Sequence, residues 1–273
     1  MTEFRPGRFQ ILPPIVKNLL IINALVMFLT YVMENMGIDV VEMLGLHYWR
    51  SPHFRPWQLV THIFMHGNFM HLFSNMFALW IFGSVLENVW GGKRFLTFYM
   101  ICGLGAALLH MAVLGYEFRL FENAFYEYQQ TAALDTYIKF IESQNLDRIA
   151  WFQSLRTFWE SNPSCGNCVS QSIEAINMRY LSMINQPTVG ASGAVFGILF
   201  AFGYLFPNTL LYIYFLVPVK AKYVVAAYAL FELMAGIRNS AGDNIAHFAH
   251  LGGMLVAFII LKIWSRHVRN RFY

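Results

Sequence analysis

Charged side chains are scarce in this sequence. Only 12% of the 273 residues are Asp, Glu, Lys or Arg, whereas 57% are hydrophobic. Soluble globular domains carry about twice that share of charge, so the composition argues against a soluble domain and indicates a chain solvated mainly by lipid. The bases do not alternate with aromatic residues as on a nucleic-acid-binding surface, so no nucleic-acid partner is expected.

Cysteine is also scarce, and its absence from most of the chain excludes a disulfide scaffold. The three cysteines are Cys102, Cys165 and Cys168. Cys102 lies within an apolar run and is expected to serve packing. The segment CGNC has the spacing of a redox or metal pair, but no second pair accompanies it. A local disulfide between Cys165 and Cys168, on the extracytoplasmic side, is the simplest interpretation.

Long apolar runs, by contrast, are abundant. They predict six membrane-spanning helices, at about 15–34, 68–88, 94–114, 190–206, 220–237 and 245–264. The first run follows a basic tail but is long and has no cleavage site, so it is interpreted as a retained helix. Residues 207–219 are apolar but contain Pro207 and Pro218, which favours a partly buried loop, with a seventh short helix as the alternative. A polar turn, RNSAGDN (238–244), separates the last two spans.

Lysine and arginine predict the orientation of these spans. In a six-span arrangement, one side of the membrane receives Arg5, Arg8, Lys17, Lys93, Arg94, Lys220, Lys222, Lys262, Arg266, Arg269 and Arg271. The positive-inside rule therefore predicts that both termini are cytoplasmic. The opposite side receives residues 115–187, which carry eight acids and five bases. We expect a multi-pass protein of the cell membrane, either plasma or inner membrane.

Residues 115–187 form an insert between the third and fourth spans. Apolar and aromatic residues recur at three- and four-residue spacing from Phe121 to Ile141, and a second amphipathic helix is predicted around 146–159. The aromatic content suggests a position on the bilayer surface or over the membrane core, and a helical hairpin without chemistry is the alternative. The predicted organisation is one all-α domain: residues 1–114 hold the N-terminal tail and three spans, and residues 188–273 hold three spans and a basic tail.

Polar residues cluster where three of the predicted spans begin. The second span opens with HGNFMHLFSNM, which places His71 and Asn75 one turn apart, and the sixth opens with AHFAHLGG, which contains His247 and His250. The fourth opens with GASGAVFG, where Ser192 stands among small residues. Polar groups inside a membrane are costly and normally face the bundle interior. The predicted topology brings all three clusters to a similar depth, just below the extracytoplasmic surface.

Several interpretations of these clusters compete. The small residues could simply allow close helix packing, and histidines at span ends could only contact water. His62 and His66 are four residues apart, but no HExxH acid lies between them, and Glu87 and Glu232 are expected towards the far ends of their spans. We therefore expect no metal. A proton-coupled transporter would use such histidines, but the midplane acids and paired repeats of transporters are missing.

The three clusters, in this order and spacing, resemble the signature segments of the rhomboid intramembrane serine proteases. The resemblance covers about 55–114 and 188–264, five of the six spans, and RPWQLVTHIFMHG before the second span also fits. It implies a six-helix rhomboid bundle, to which this sequence adds the extracytoplasmic helical insert between the third and fourth spans. The sequence departs from the family in Trp57-Gln58, where relatives often have Trp-Arg, and in the insert itself.

The resemblance also implies roles for individual residues. Ser192 would be the nucleophile and His247 the general base, in a dyad without a carboxylate. Phe196, one turn after Ser192, is expected to pack against the His247 ring. His71, Asn75 and the backbone N–H of Ser192 would stabilise the oxyanion. The supporting residues are Gly190, Gly193 and His250. No cofactor is implied.

The implied function is hydrolysis of peptide bonds in or near transmembrane segments of membrane proteins. Substrates would enter from the lipid bilayer, past the fifth span, where Ala226, Ala227 and Ala229 suggest loose packing. The alternative is a catalytically silent rhomboid-like protein that binds transmembrane clients. Such proteins usually lose the serine or the histidine, and both are present here. The sequence leaves the oligomeric state open.

Overall fold

The computed structural model describes residues 9–213, 216–238 and 246–269. At residues 213 and 266–269 it describes the backbone only. Predictions for residues 1–8, for residues 239–244 of the polar turn and for the last four residues lie outside the described residues. The helices are α1 (Pro14–Asn35), α2 (Val40–Leu44), α3 (Gln58–Thr61), α4 (Phe69–Ala78), α5 (Ser84–Trp90), α6 (Gly92–Thr131), α7 (Leu134–Ser143), α8 (Ala150–Ser161), α9 (Cys168–Ile184), α10 (Ser192–Leu205), α11 (Ala221–Arg238) and α12 (His247–Arg269). The strands are β1 (Leu210–Ile213) and β2 (Val217–Lys220).

Helix α10 lies at the centre of the bundle and packs against α6, α11 and α12. Its sequence is apolar on every side, which is typical of a helix that is buried all round. Close crossings surround it: a Cβ on Gly253 of α12 would lie 1.8 Å from the carbonyl oxygen of Gly193, and a Cβ on Gly193 would lie 2.5 Å from the Ala106 Cβ of α6. Small residues therefore do bring these helices together, as the packing interpretation of the sequence expected.

The described helices fit a multi-pass membrane protein. Four are long and apolar enough to cross a bilayer, namely Pro14–Asn35, Phe69–Trp90, Gly92–Thr131 and His247–Ser265. The second of these joins α4 and α5 through a π-helical turn. Helix α10 is apolar but has only 14 residues, and the 18 residues of α11 include Lys222, Glu232 and Arg238. The count of six spans therefore stays a prediction.

The insert is largely helical and has a core of its own. Helix α6 runs through residue 114 without a break and has 40 residues, about 60 Å of helix. Its distal half packs with α7, α8 and α9 around Phe121, Tyr128, Tyr137, Phe140, Phe152, Trp159 and Ile176. The two predicted amphipathic segments are confirmed as helical, although Phe121 belongs to the extended third span and α9 was not predicted. The aromatic residues of the insert suggested a position on the bilayer surface, but most of these side chains are buried in this core. The Cys165–Cys168 disulfide is present and joins the segment before α9 to the first residue of this helix.

In the described part of residues 207–219, two short strands replace the predicted loop and the alternative seventh helix. Strand β1 pairs antiparallel with β2, with Leu210 opposite Lys220 and Tyr212 opposite Pro218. The prolines prevent a helix, whereas the branched and aromatic residues between them favour strands. A two-stranded ribbon has only edge strands, which tolerate a proline. The all-α prediction is therefore corrected by one short hairpin.

The loop between α1 and α4 is tied to the segment that leads into α10. Leu46 and Thr188 exchange two backbone hydrogen bonds, of 2.9 and 2.8 Å. Gln58, fully buried, accepts hydrogen bonds from the backbone N–H groups of Arg55 and His47, at 3.0 and 3.3 Å. Arg50 pairs with Glu122 of α6 at 2.7 Å. Through the Leu46–Thr188 pair, this loop holds the backbone just before Ser192.

Candidate active site

Ser192 and His250 are in direct contact where α10 and α12 begin. Ser192 is the first residue of α10, and His250 lies in the first turn of α12. The Oγ of Ser192 is 2.8 Å from Nε2 of His250, within hydrogen-bond distance. His250 is only 8% exposed. A serine hydroxyl and an imidazole at this distance are the two groups that nucleophilic catalysis by serine needs.

Phe196 fixes the plane of the same imidazole. Its ring stacks on His250 with centroids 4.2 Å apart and an interplanar angle of 8°. Because Phe196 lies one turn after Ser192 on α10, this one helix contacts both an edge and a face of the imidazole. Tyr228 of α11 meets Phe196 edge-on, with centroids 6.0 Å apart.

The histidine that contacts Ser192 is not the one chosen from the sequence. The hydrogen bond with Ser192 and the stacking with Phe196 were predicted for His247, and both belong to His250. His247 lies three residues earlier, and its Nδ1 is 2.6 Å from Oε2 of Glu232. Residues at positions i and i+3 lie near the same helix face, so spacing alone could not separate them. The axial position of α12 relative to α10 determines which of the two histidines contacts Ser192.

Glu232 is a member of the site that sequence reasoning missed. It lies on α11, is 4% exposed, and its Oε2 is 2.9 Å from Nδ1 of His250 as well as 2.6 Å from Nδ1 of His247. Glu232 does lie towards the far end of its span, as expected, but that end of α11 meets His247 and His250, a contact that was not predicted. The signal was available: a lone acid in an apolar run needs a partner, and Glu232 is only six residues before the end of α11.

The two contacts of Glu232 differ in direction. The N–H of His247 meets hydrogen-bond geometry with Oε2, whereas the N–H direction at Nδ1 of His250 is off the line to this oxygen. The contact with His250 is therefore a close electrostatic one, and His247 makes the aligned hydrogen bond. One carboxylate oxygen thus lies against both rings.

Glu232, His247 and His250 are also the donor types that hold zinc, and their ligand atoms lie within 4.8 Å of one another. Donors that share one tetrahedral zinc ion are about 3.3 Å apart, given Zn–N bonds of about 2.0–2.1 Å. The separations of 2.6 and 2.9 Å at Oε2 are shorter and match direct polar contacts. The geometry favours a hydrogen-bonded cluster over a metal site.

The His71 ring lies beside Gly190, close to Ser192. A Cβ on Gly190 would be 2.9 Å from His71 Cε1, 3.0 Å from Nε2 and 3.4 Å from Ser192 Oγ. Gly190 also has φ of +138°, which other residues rarely adopt. The backbone N–H of Gly67 points at Nδ1 of His71 over a long 3.4 Å. If Nδ1 accepts, the proton of the neutral ring is on Nε2, which faces Gly190 together with Cε1.

The remaining predicted site residues have clear positions. Asn75 is buried, and its Nδ2 donates to the backbone carbonyl of His71 at 3.0 Å, so it supports the turn that carries this histidine. Gly193 makes room for α6 rather than for open space beside Ser192. The N–H of Ser192 is at a helix N-terminus, where it has no partner within its own helix.

His62 connects the preceding loop to this site. Burial lowers its pKa to about 4, and its Nδ1 is 2.7 Å from the backbone carbonyl of Gln58. The ring is therefore neutral at neutral pH, with its proton on Nδ1. Its own backbone carbonyl accepts a hydrogen bond of 3.0 Å from the N–H of Gly190. His62 thus helps to hold the unusual Gly190 conformation.

The family model described as the Rhomboid domain matches residues 53–119 and 164–267, together more than half of the chain. The matched ranges contain Ser192, His250, Glu232, His71 and Asn75. The chain belongs to the rhomboid family. The rhomboid match leaves out residues 120–163, which are the distal part of α6, α7 and α8 of the insert.

Individual rhomboids are similar to this chain over different lengths. RHOMBOID-like protein 12, mitochondrial, of Arabidopsis thaliana is 24% identical over 258 residues, 94% of this chain and 60% of the relative. Rhomboid protein 1, mitochondrial, of Saccharomyces cerevisiae is 25% identical over 201 residues, 74% of this chain and 40% of the relative. Rhomboid protease GluP of Bacillus subtilis is 36% identical over 52 residues, 19% of this chain and 10% of the relative. The chain spans 60% or less of each relative's length.

Proposed function

We propose that this rhomboid is an intramembrane serine endopeptidase that hydrolyses peptide bonds in or near transmembrane segments of membrane proteins. The observation that carries the proposal is the 2.8 Å contact between Ser192 Oγ and His250 Nε2. A hydroxyl is a weak nucleophile until an adjacent base takes its proton, and a neutral imidazole is such a base. Family membership and a relative named a rhomboid protease support the same activity.

The reaction follows from this contact. Nε2 of His250 takes the proton from Ser192 as Oγ bonds to the substrate carbonyl carbon. The imidazolium then gives that proton to the leaving amine as the peptide bond breaks, which leaves an ester on Ser192. Water loses a proton to His250 as it attacks the ester, and the serine oxygen regains it. Phe196, stacked on His250, keeps the ring in the orientation that these transfers require.

The negative charge on the substrate oxygen needs donors that are already in place. We propose His71 Nε2 and the backbone N–H of Ser192 as two of them, since both border the space beside Ser192 Oγ. Asn75 contributes by holding the His71 turn, and a direct role for its amide remains part of the proposal. Removing one such donor typically lowers the rate by about 100- to 1000-fold.

Substrates would reach the site from the lipid, beside α11. An apolar groove of about 600 Å³ separates parts of α10, α11 and α12 and is lined in part by Ala226, Ala229 and Leu255. Two of the three small residues that suggested loose packing line this groove. A substrate helix hides its peptide bonds in its own hydrogen bonds, so it must unwind before cleavage.

The alternative is a silent protein that binds transmembrane clients. The intact Ser192–His250 contact argues against it, because a binding role needs no activated serine.

The same membrane topology serves both functions. The site and the insert lie at one end of the bundle, which we propose is the extracytoplasmic end. The plasma- or inner-membrane placement gains no support from the relatives, since two are named mitochondrial.

The test is cleavage of a reporter transmembrane substrate in proteoliposomes. We expect the intact protein to cleave a member of a panel whose segments contain small or helix-breaking residues, and Ser192→Ala to abolish cleavage while folding is preserved. Cleavage that survives Ser192→Ala would contradict the serine mechanism. Stable binding of the panel without cleavage, despite reaction of Ser192 with a serine-directed probe, would favour the client-binding alternative.

A further inference from the structure

We propose that Glu232 is a positioning residue for His250, and that His247 holds Glu232 in place. The proposal rests on the proposed function, because it assigns to the Ser192–His250 pair a carboxylate that the sequence interpretation lacked. The chain of contacts is Ser192 Oγ to His250 Nε2, His250 Nδ1 to Glu232 Oε2, and Glu232 Oε2 to His247 Nδ1. Their lengths are 2.8, 2.9 and 2.6 Å.

The arrangement places the His250 ring between an acid and a nucleophile. Its two nitrogens face different partners, so the nitrogen that faces the carboxylate cannot also face the serine. To accept a proton on Nε2, the neutral ring must carry its proton on Nδ1. A carboxylate beside Nδ1 favours this tautomer and disfavours the one in which Nε2 is already protonated. Glu232 therefore selects the form of His250 that can act as a base.

The same carboxylate stabilises the charged intermediate. When His250 takes the serine proton its ring becomes a cation, 2.9 Å from a buried anion. Interactions between charges are strong where water is excluded, and Glu232 is only 4% exposed. Glu232 stays ionised throughout the reaction, and no proton is transferred to it. Its contribution is electrostatic and orienting.

His247 has a separate part in the arrangement. A buried carboxylate that faced His250 alone would have one contact, and that contact is off the hydrogen-bond line. The aligned hydrogen bond from His247 supplies the partner that a buried anion requires. His247 is thus the support of Glu232, which explains why two histidines begin α12 and only one touches Ser192.

A purely structural role is the competing explanation. Glu232 and His247 could do no more than join α11 to α12, and their loss would then reduce the folded fraction without changing the chemistry. Among the described residues, three other titratable groups surround His250: His247 on its own helix, His71 on α4 and His110 on α6. A pH profile must therefore be compared between variants that leave all three unchanged.

The experiment compares Glu232→Gln with the intact protein in proteoliposomes, using the reporter substrate and counting only folded enzyme. We expect kcat to fall by about 100-fold or more, KM to change by less than about threefold, and the acid limb of the kcat/KM profile to move to lower pH. The limb moves because the carboxylate no longer stabilises protonated His250. Glu232→Asp should recover part of the loss, because the charge is kept.

The matched control is Glu87→Gln, which removes a second buried carboxylate at the opposite end of the bundle. Its kcat and acid limb should equal those of the intact protein. A double variant of Glu232→Gln with His247→Asn should be no slower than Glu232→Gln alone, since His247 acts through Glu232. If Glu232→Gln does not fold, Glu232→Asp and His247→Asn carry the same comparison.

The outcomes separate this proposal from the proposed function. If Ser192→Ala still cleaves, the serine mechanism itself is wrong. If Ser192→Ala is inactive while folded Glu232→Gln keeps the intact kcat and acid limb, only the role of Glu232 is overturned. A loss of activity in Glu232→Gln that is fully explained by a smaller folded fraction would assign the residue to structure, and would also overturn the proposal.

Discussion

Two buried glutamates, one at each end of the bundle, show how the same side chain serves different purposes. Glu87 and Glu232 are each 4% exposed and lie on largely apolar helices. Glu87 accepts hydrogen bonds from the backbone N–H groups of Ile15 and Val16, at 2.9 and 2.8 Å. Glu232 contacts His247 and His250. The partners of Glu87 cannot titrate, whereas those of Glu232 can.

The partners of a buried glutamate, rather than its burial, indicate whether it stabilises the fold or supports the reaction. The first N–H groups of α1 have no acceptor within their own helix, and a carboxylate at a helix N-terminus satisfies them and complements the helix dipole. Glu87 is thereby a cap that joins α5 to α1. Glu232 is connected through His250 to Ser192, which is the residue that we propose reacts.

The largest difference is expected between the two histidines at the start of α12. His250→Ala should lower the cleavage rate by about 10⁴-fold or more, because it removes the base. His247→Ala should lower it by only about 10-fold, because Glu232 and His250 remain. Both variants are compared with the intact protein by single-turnover cleavage of the reporter. Equal loss in both variants, with folding preserved, would contradict the assignment of His250 from the structure.

A smaller loss of cleavage rate is expected for substitution of His71, which lies beside Gly190. His71→Phe keeps a ring beside Gly190 but removes the donor, so kcat should fall by about 100- to 1000-fold with little change in KM. His66→Phe is the neighbouring control, since its ring meets that of His71 edge-on at 5.1 Å. If both variants cleave alike, His71 is not the donor that stabilises the oxyanion.

At the opposite end, Glu87→Gln should affect stability rather than chemistry. A glutamine can accept from one backbone N–H but presents its amide protons to the other, so the free energy of unfolding should fall by about 1–3 kcal/mol. Thermal unfolding in detergent measures this change. A fall in kcat per folded molecule as large as that of Glu232→Gln would remove the distinction between the two glutamates.

The smallest effect concerns the insert. Arg50 pairs with Glu122 at 2.7 Å, but about half of the Arg50 side chain is exposed to solvent. Exposed ion pairs contribute about 0–1 kcal/mol, so Arg50→Gln should leave the unfolding temperature and reporter cleavage close to those of the intact protein. A large loss of cleavage with unchanged stability would instead connect the insert to the site.

Much of the site could be predicted from short segments of sequence. Ser192 stands alone among small residues at the start of an apolar run, and His71 and the AHFAHLGG segment begin two other runs, so topology alone indicated that they meet. The choice between His247 and His250 could not be made in this way. It depends on an axial offset of less than one helical turn between α12 and α10. The spacing of residues along one sequence segment does not determine the axial offset between two helices.

Other features were hidden for different reasons. Glu232 belongs to a helix with no motif, so its lone charge in an apolar run indicated a buried partner without indicating which residues that partner would be. The hairpin at Leu210–Lys220 was missed because two prolines in an apolar segment exclude a helix without indicating what replaces it. The unbroken α6 was divided at residue 114 because hydropathy falls there, although the helical pattern continues.

The most direct test of the account is the reaction of Ser192 with a fluorophosphonate probe, located by mass spectrometry, in the intact protein, His250→Ala and His247→Ala. We predict modification at Ser192 in the intact protein, none detectable in His250→Ala, and slowed but complete modification in His247→Ala. This pattern requires that His250 activates the serine. Modification of Ser192 at the intact rate in His250→Ala, or its loss in His247→Ala alone, would contradict it.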